Sequence, residues 1–440
     1  MSKTLGVFGV SNEIVESYIE RKQVDGFFQT ALELNKQIIV YGSSKQGKTA
    51  LIKKHIPPDS MISIQCSPTT EVKDIYSSIL RQNGITILTD SSETETSSEA
   101  ITATVNSKIK IPVVADIGGD VSGMTKGEKT SAQESRTVEY NLSLAQDVAE
   151  ALKSINFQKY IVLDNFHYLN EDVQKRFAFD LRIFQELDIR FIILGIWRER
   201  NRLDQFNGDL IDRVVDVAVE PWDSNDFKKV IDMGSSLLNV DFMDIQDHLI
   251  ESSFDSIGVL QELCKESCMS SGIMETSSEI IKITDENLET AIKRKLEDYS
   301  GRHLRSFDTF AESSRKTRDG IVPLFIPYYF LRVLLDSDFT KIMDGLKRKD
   351  IHQEIVKIHH RPSEDIRPSD MSNFLYSITR YQINKNINPP LFDFDRSINT
   401  IKIIDSTLYF FLRNCNTDEV LESLALPSDE IKPQTDNDST

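Results

Sequence analysis

The chain has 440 residues, enough for two or three domains that each bury a core, and its 39% hydrophobic and 27% charged residues are those of a globular protein. A formal charge of −18 excludes a surface that coats nucleic acid throughout, while leaving room for one local basic face. No apolar run approaches the ~20 residues that cross a bilayer, and Met1 to Gly6 lack the apolar core of a signal peptide, so a cytoplasmic protein is expected.

In chain order, Ile38 to Tyr41 is a short apolar run of the kind buried on both faces of a parallel sheet. A glycine loop follows, and Lys48 to His55 reads as a helix stopped by Pro57 and Pro58. Met61 to Ile64 is a second strand; Val72 to Gln82 has helical periodicity and ends at Asn83-Gly84. Residues 90–137 change character, with an acidic Ser/Thr-rich start, scattered glycines and β-type alternation from Ile101 to Asp116. This segment is expected to be an insertion, a mobile loop carrying a hairpin. Ala145 to Ile155 returns to helix, Tyr160 to Leu163 is a buried strand, and Asn170 stands where it can cap a helix through Phe184. Strands at Arg190 to Leu194 and Val214 to Val219 complete an alternation that predicts an α/β fold, a doubly wound parallel sheet.

Gly42-Ser43-Ser44-Lys45-Gln46-Gly47-Lys48-Thr49 satisfies G-x-x-x-x-G-K-[ST] at every defined position. In such a loop, successive backbone N–H groups and a helix N-terminus surround phosphates. Lys48 reaches the β- and γ-phosphates, the Thr49 hydroxyl binds Mg²⁺, and Ala50 completes the nucleotide-contacting run. The expected cofactors are ATP and Mg²⁺. Asp164 ends a buried strand, the Walker B arrangement, and is the second expected metal residue. Asn165 occupies the next position; an amide orients water but is a poor base, so turnover is expected to be slow unless Glu171 substitutes.

With these motifs the chain resembles the AAA+ superfamily, and within it the STAND-type signalling ATPases and the origin-recognition, initiator-like ATPases. The likeness covers about residues 8 to 268 and more loosely the C-terminal unit. It implies that Phe8 to Ser11 and Tyr18 to Arg21 pack over adenine. It implies a γ-phosphate sensor at Arg198, with Arg200 and Arg202 as alternatives, and an arginine finger acting on a neighbouring subunit at Arg213. A surface ion pair is the competing reading for each of these arginines. The residues from Asp223 to Cys268 resemble the AAA+ lid, but Ser256 to Leu263 lack the sensor 2 arginine of initiators, which leans toward the STAND side.

Farther on, Thr284 to Arg315 reads as charged helices. Helices at Ile326 to Leu335, at Leu346 to His359, and from a Ser369 cap to Tyr381 precede a hairpin whose turn is Arg396 to Asn399. Three helices and a hairpin, closed by a helix from Ser406 to Arg413, resemble a winged helix. Residues 341–386 hold nine Lys/Arg against six Asp/Glu, with Asn373, Tyr376, Arg380, Tyr381 and Gln382 on the third helix for a groove to read. Cys264 and Cys268 share a helical turn, but no His or third Cys lies near, so buried reduced thiols are expected.

The expected organisation is a P-loop ATPase core at 1–222, a helical lid at 223–275, a helical linker at 276–320, a winged-helix-like domain at 321–415 and a flexible tail at 416–440. The expected function is a slowly hydrolysing switch coupling nucleotide state to self-assembly as an ATP-dependent homo-oligomer or to a protein partner. The alternative is a DNA-binding initiator or loader.

Overall fold

The computed structural model describes residues 1–11, 13–88, 106–112, 135–312 and 322–424. Its first eight strands are β1 (Gln37–Tyr41), β2 (Met61–Gln65), β3 (Thr86–Leu88), β4 (Asn106–Pro112), β5 (Ser135–Asn141), β6 (Tyr160–Asp164), β7 (Phe191–Gly195) and β8 (Val214–Ala218). Five of them form a sheet in the order β2-β6-β7-β1-β8, every pair parallel, with β1 lying between β7 and β8. Alternation along β1 explains the double winding. Ile39 and Tyr41 enter the core that also holds Tyr76, Phe177 and Phe184, while Ile38 and Val40 join Phe28, Leu51 and Ile52 on the other face. Helices thus cover both faces, as the apolar strands require.

Helix boundaries follow local chemistry closely. Val72–Gln82 begins with a reciprocal capping box of Glu71 and Asp74, and Gly84 at φ 76° follows its end. Asn170 precedes Glu171–Glu186 as expected but makes no capping bond, because its amide donates to the Pro68 carbonyl at 3.2 Å.

Two strands of the expected insertion are among the described residues. β4 pairs antiparallel with β3 and β5, forming a sheet separate from the parallel one. Its Ile109 is fully buried in the main core, so this part is anchored rather than a free loop. The rest of 90–137 lies outside the described residues.

The helices Ser224–Leu238, Gln246–Glu251 and Ile257–Ser270 make the lid, with a two-residue parallel pair, β9 (Val240–Asp241) and β10 (Ile281–Lys282). The N-terminal residues belong to this body rather than to the sheet: Val7 and Phe8 sit in the lid core, Phe8 edge-on to Phe242 at 6.0 Å. The stretch around 274–277 is bonded into the same body. Thr276 donates its N–H to the Ser2 carbonyl and Ser277 to that of Leu238.

Where several charged helices were expected, one continuous helix runs through Asp285–Ala311, 27 residues and about 40 Å long. Its Leu288 and Ala291 are buried in the lid, and its Phe307 and Phe310 in the C-terminal core. It therefore joins two cores instead of linking them loosely.

The C-terminal body contains helices Ile326–Leu335, Phe339–Asp344, Arg348–Ile358, Pro368–Tyr376 and Ile378–Asn384, with β11 (Leu346–Lys347), β12 (Phe392–Asp395) and β13 (Thr400–Ile403). The antiparallel order β11-β13-β12 beside these helices is a winged-helix-like arrangement. Ser369 lies inside the first turn of its helix and does not cap it; Arg367 holds the N-cap position, its backbone N–H donating to Asp370 Oδ2 at 3.3 Å, and Pro368 takes the first helical position, where its missing N–H costs nothing. The third helix breaks at Ser377. Helix Ser406–Asn414 closes the body, and a short helix, Thr417–Ser423, stands where a flexible tail was expected to begin. Val420 and Leu424 are buried, which ties that segment down. Residues 425–440 of the expected tail lie outside the described residues. No described helix is long and apolar enough to cross a membrane.

Candidate nucleotide-binding site

At the C-terminal end of β1 the chain turns through Gly42 to Gly47 into the helix Lys48–His55. Gly47 takes φ 86°, a left-handed conformation that lets the loop enter the helix directly. The N–H groups of Lys45, Gln46, Gly47 and Lys48 have no hydrogen-bond partner among the described residues. Lys48 is half-buried, and its ammonium donates to the carbonyls of Gly42 at 2.9 Å and Ser43 at 2.6 Å. Burial pushes its pKa down to about 8 against the pull of Glu220 and Asp164, which face it.

Beside the loop opens a cavity of about 300 Å³. It is lined by Lys45, Gln46, Gly47, Lys48, Thr49 and Ala50 of the loop and its helix, by Asp164 and Asn165, and by Val10, Tyr18, Ile19, Trp222, Val230 and Ile257. Gly9, Ser11 and Arg21 also line it, so most of the two segments expected over adenine do reach the cavity; Phe8 does not, because its ring fills the lid core. The Arg21 guanidinium lies 3.6 Å from the Trp222 ring centroid, which holds that aromatic wall in place.

Asp164 ends β6. Its Oδ1 accepts the Asn165 N–H at 2.8 Å and its Oδ2 accepts from Gln65 Nε2 at 3.2 Å. Asn165, at φ 60°, donates its amide to Gln65 Oε1 at 3.0 Å. The three side chains form one small network at the phosphate-loop end. Glu171 is not part of it: it pairs with Lys175 at 2.8 Å and faces a different cleft.

The first half of the loop has another environment. The N–H of Ser43 donates to Glu220 Oε2 at 2.6 Å. Arg198 donates to Ser43 Oγ at 2.8 Å and pairs with Glu220 Oε1 at 3.0 Å. Arg198 therefore bears on the loop's shoulder and not on the cavity, with Gly42, Ser43 and Ser44 beside it. Ser44 is held by the C-terminal body: its N–H donates to the Ile404 carbonyl at 2.8 Å, and Ser406 Oγ donates to its own carbonyl at 2.8 Å. The lid closes on the loop as well. A Cβ on Gly258 would lie 2.8 Å from the Lys45 carbonyl oxygen, so only glycine permits this approach.

The remaining arginines are elsewhere. Arg202 pairs with Asp393 of β12 at 2.9 Å. Arg213 stands one residue before β8, at the edge of the sheet opposite the loop, donating to Gln185 Oε1 at 2.6 Å and pairing with Glu186 at 3.2 Å. It does not join its own chain's cavity.

Two contributions escaped the sequence reading. Glu220 and the Ile404–Ser406 segment carry no motif and meet the loop only through folding. His167 had a faint signal, a histidine three residues past the strand-ending Asp164, and its buried ring lines the cavity. As a whole the arrangement suits a polyphosphate with a divalent cation: free N–H donors and an ammonium for the anion, and a hydroxyl and carboxylate, Thr49 and Asp164, for the metal.

The fold is that of a P-loop NTPase. No family model and no curated protein sequence matches the chain. Among solved structures it is similar to a Walker-type ATPase of Pyrococcus abyssi, at 15% identity and a TM-score of 0.47, covering 92% of this chain and 99% of that one. It is similar to the Aeropyrum pernix Orc1 protein in complex with DNA, at 11% identity and a TM-score of 0.44, covering 96% of each chain. A STAND protein with a tetratricopeptide repeat sensor from Pyrococcus horikoshii matches at 11% identity and a TM-score of 0.35, over 95% of this chain and 45% of that one.

Proposed function

We propose that this chain is an ATP-binding, slowly hydrolysing switch of the AAA+/STAND kind, in which the nucleotide state of the loop is read directly by the C-terminal winged-helix-like domain. The observation that carries this is the pair of bonds from Ser44 to Ile404 and Ser406, which places one phosphate loop in two bodies at once. Mg-ATP fits the cavity: Lys45 to Lys48 supply donors for phosphate, Thr49 and Asp164 supply the metal's oxygens, and Val10, Ile19 and Trp222 give a base an apolar wall. When bound, the metal neutralises charge on the phosphates. Asp164 orients it, Lys48 holds the phosphate end, and Asn165, tied to Gln65, positions water without taking its proton. Slow turnover follows from that missing base.

Loop and domain share backbone groups, so filling the loop shifts the balance of the contact at Ser44. Hydrogen exchange of residues 400–410, with no nucleotide, Mg-ADP and Mg-ATP, tests this. A change in protection specific to Mg-ATP is expected; identical exchange under all three, with nucleotide bound, rules the switch out.

A second reading, a DNA-binding protein of the initiator type, has the winged-helix-like arrangement of β11, β13 and β12 in its favour. Asn373 and Arg380 are exposed, but Gln382 is buried and spends its amide on the backbone of Ile378, Phe392 and Leu391. Tyr376, Arg380 and Arg396 line a cleft of about 80 Å³ opposite Glu171 and Glu199 of the core. A duplex does not fit there, so duplex binding would require the C-terminal domain to leave the core first. Fluorescence anisotropy with a labelled duplex, with and without Mg-ATP, separates the two readings.

A further inference from the structure

We propose that His167 is the residue by which this site distinguishes a nucleoside triphosphate from a diphosphate, its Nε2–H donating to an oxygen of the terminal phosphate. The inference rests on the nucleotide reading above. Asn165 turns the chain in a left-handed conformation directly after Asp164, so that Phe166 enters the core and the next side chain stands at the cavity wall. The imidazole is 3% exposed. Its Nδ1 accepts the N–H of Ile196 at 3.4 Å, which places the ring's proton on Nε2. That Nε2 has no partner among the described residues. A buried donor without an acceptor disfavours the folded state, and such groups mark sites where a ligand supplies the missing atom.

Electrostatics locates the donor along the cavity. Lys48, the phosphate-end cation, is near enough to act on the ring, and burial together with Lys48 and Arg202 pushes the imidazole down to about 3. The ring is therefore neutral at physiological pH, and it offers a hydrogen bond and no charge. Asp164, Asn165 and Lys48 line the same cavity as the ring, and Asp164 precedes it by three residues at the end of β6. A donor beside the loop lysine and the Asp164 carboxylate is set to meet phosphate oxygen rather than the base. The same ring also lines the cleft that faces Tyr376 and Arg380, so a phosphate bound on one side meets the wall of the winged-helix-like domain on the other.

The test is calorimetry of Mg-ATP and Mg-ADP binding to the full chain and to its His167→Met and His167→Gln variants. One hydrogen bond to a charged group corresponds to a loss of about tenfold or more, so His167→Met should lose at least that much ATP affinity and keep its ADP affinity. His167→Gln, which retains an N–H, should keep most of the preference. A purely structural histidine would weaken both nucleotides alike, and an unchanged ATP-to-ADP ratio in the Met variant overturns the proposal. Wild-type protein that binds neither nucleotide would instead overturn the nucleotide reading, and this proposal with it. Should the Met variant not fold, diethylpyrocarbonate labelling of wild-type protein decides. Mg-ATP should shield His167 more than Mg-ADP does, and equal labelling overturns the assignment.

Discussion

The Ser406 hydroxyl donates to the Ser44 carbonyl at 2.8 Å, across 362 residues of sequence. Ser44 belongs to the phosphate loop and Ser406 opens the last long helix of the C-terminal body, so the two bodies meet at the site itself. Below them Arg302 bears on the buried Asp405, whose Oδ1 also accepts from the N–H and hydroxyl of Thr407. Replacing Ser406 by Ala leaves the Ser44 carbonyl without its donor, at a cost of about 1 kcal/mol. Faster hydrogen exchange in residues 400–410 is the expected result, with little change in the exchange of β6 and β7.

Lys48→Ala should reduce ATP binding by at least about a hundredfold, on the scale of losing a charge-assisted contact to phosphate. The fold should persist, since burial already disfavours this ammonium. Calorimetry gives the affinity and circular dichroism the fold. ATP affinity equal to wild type would remove the phosphate loop from the site.

For hydrolysis, Asp164→Ala should abolish turnover. Asn165→Glu should raise it by one or two orders of magnitude, the scale a positioned base supplies. The substitution also removes the amide bond to Gln65, which keeps its own bond to Asp164. Phosphate release under saturating Mg-ATP measures both. Fast turnover indifferent to either change would mean that Asp164 does not hold the metal.

Acid should destabilise the protein through its buried histidines. His303 is fully buried against Thr407, its Nε2 3.0 Å from the hydroxyl, and burial, Arg302 and Lys45 push it down to about 3. Burial likewise brings His359 to about 4. In the unfolded chain these rings charge near pH 6.5, so between that pH and the folded values the unfolded state binds more protons. Stability is therefore full above about pH 6.5 and falls as pH drops below it, by up to about 2 kcal/mol per histidine at pH 5. Thermal melts at pH 7, 6 and 5 should show the slope, and His303→Asn should flatten it by one proton's worth.

Assembly is the remaining expectation that can fail. Arg213 is held by Gln185 and Glu186 at the sheet edge opposite its own loop, so a role in its own site is ruled out by distance and a trans role requires a neighbouring subunit to displace these partners. Sedimentation should show oligomers with Mg-ATP and fewer with Mg-ADP. Arg213→Ala should lose them while still binding ATP. Normal assembly of that variant would leave Arg213 as one side of a surface ion pair.

Sequence alone determined the features whose cause lies within a few residues. The strand, loop and helix around Gly42 to Thr49 follow from an apolar run, a glycine pattern and the prolines that stop the helix, each local. Asp164 at a strand end, the hairpin around Arg396 to Asn399 and the alternation of strands and helices were legible for the same reason. The tertiary structure decided everything that depends on partners distant in sequence. Gln382 looked like a groove-reading side chain, and proved to be a buried clamp on the hairpin backbone. Arg198 carries no local sign of its partners, and only the fold brings it to Glu220 and Ser43. Ile109 lies within an acidic, glycine-rich stretch, yet it is buried in the main core. The placement of His167 between two cavities and of Ser406 on Ser44 has no local signal. Periodicity records which face of an element is buried, whereas only the packing of whole elements selects what that face meets.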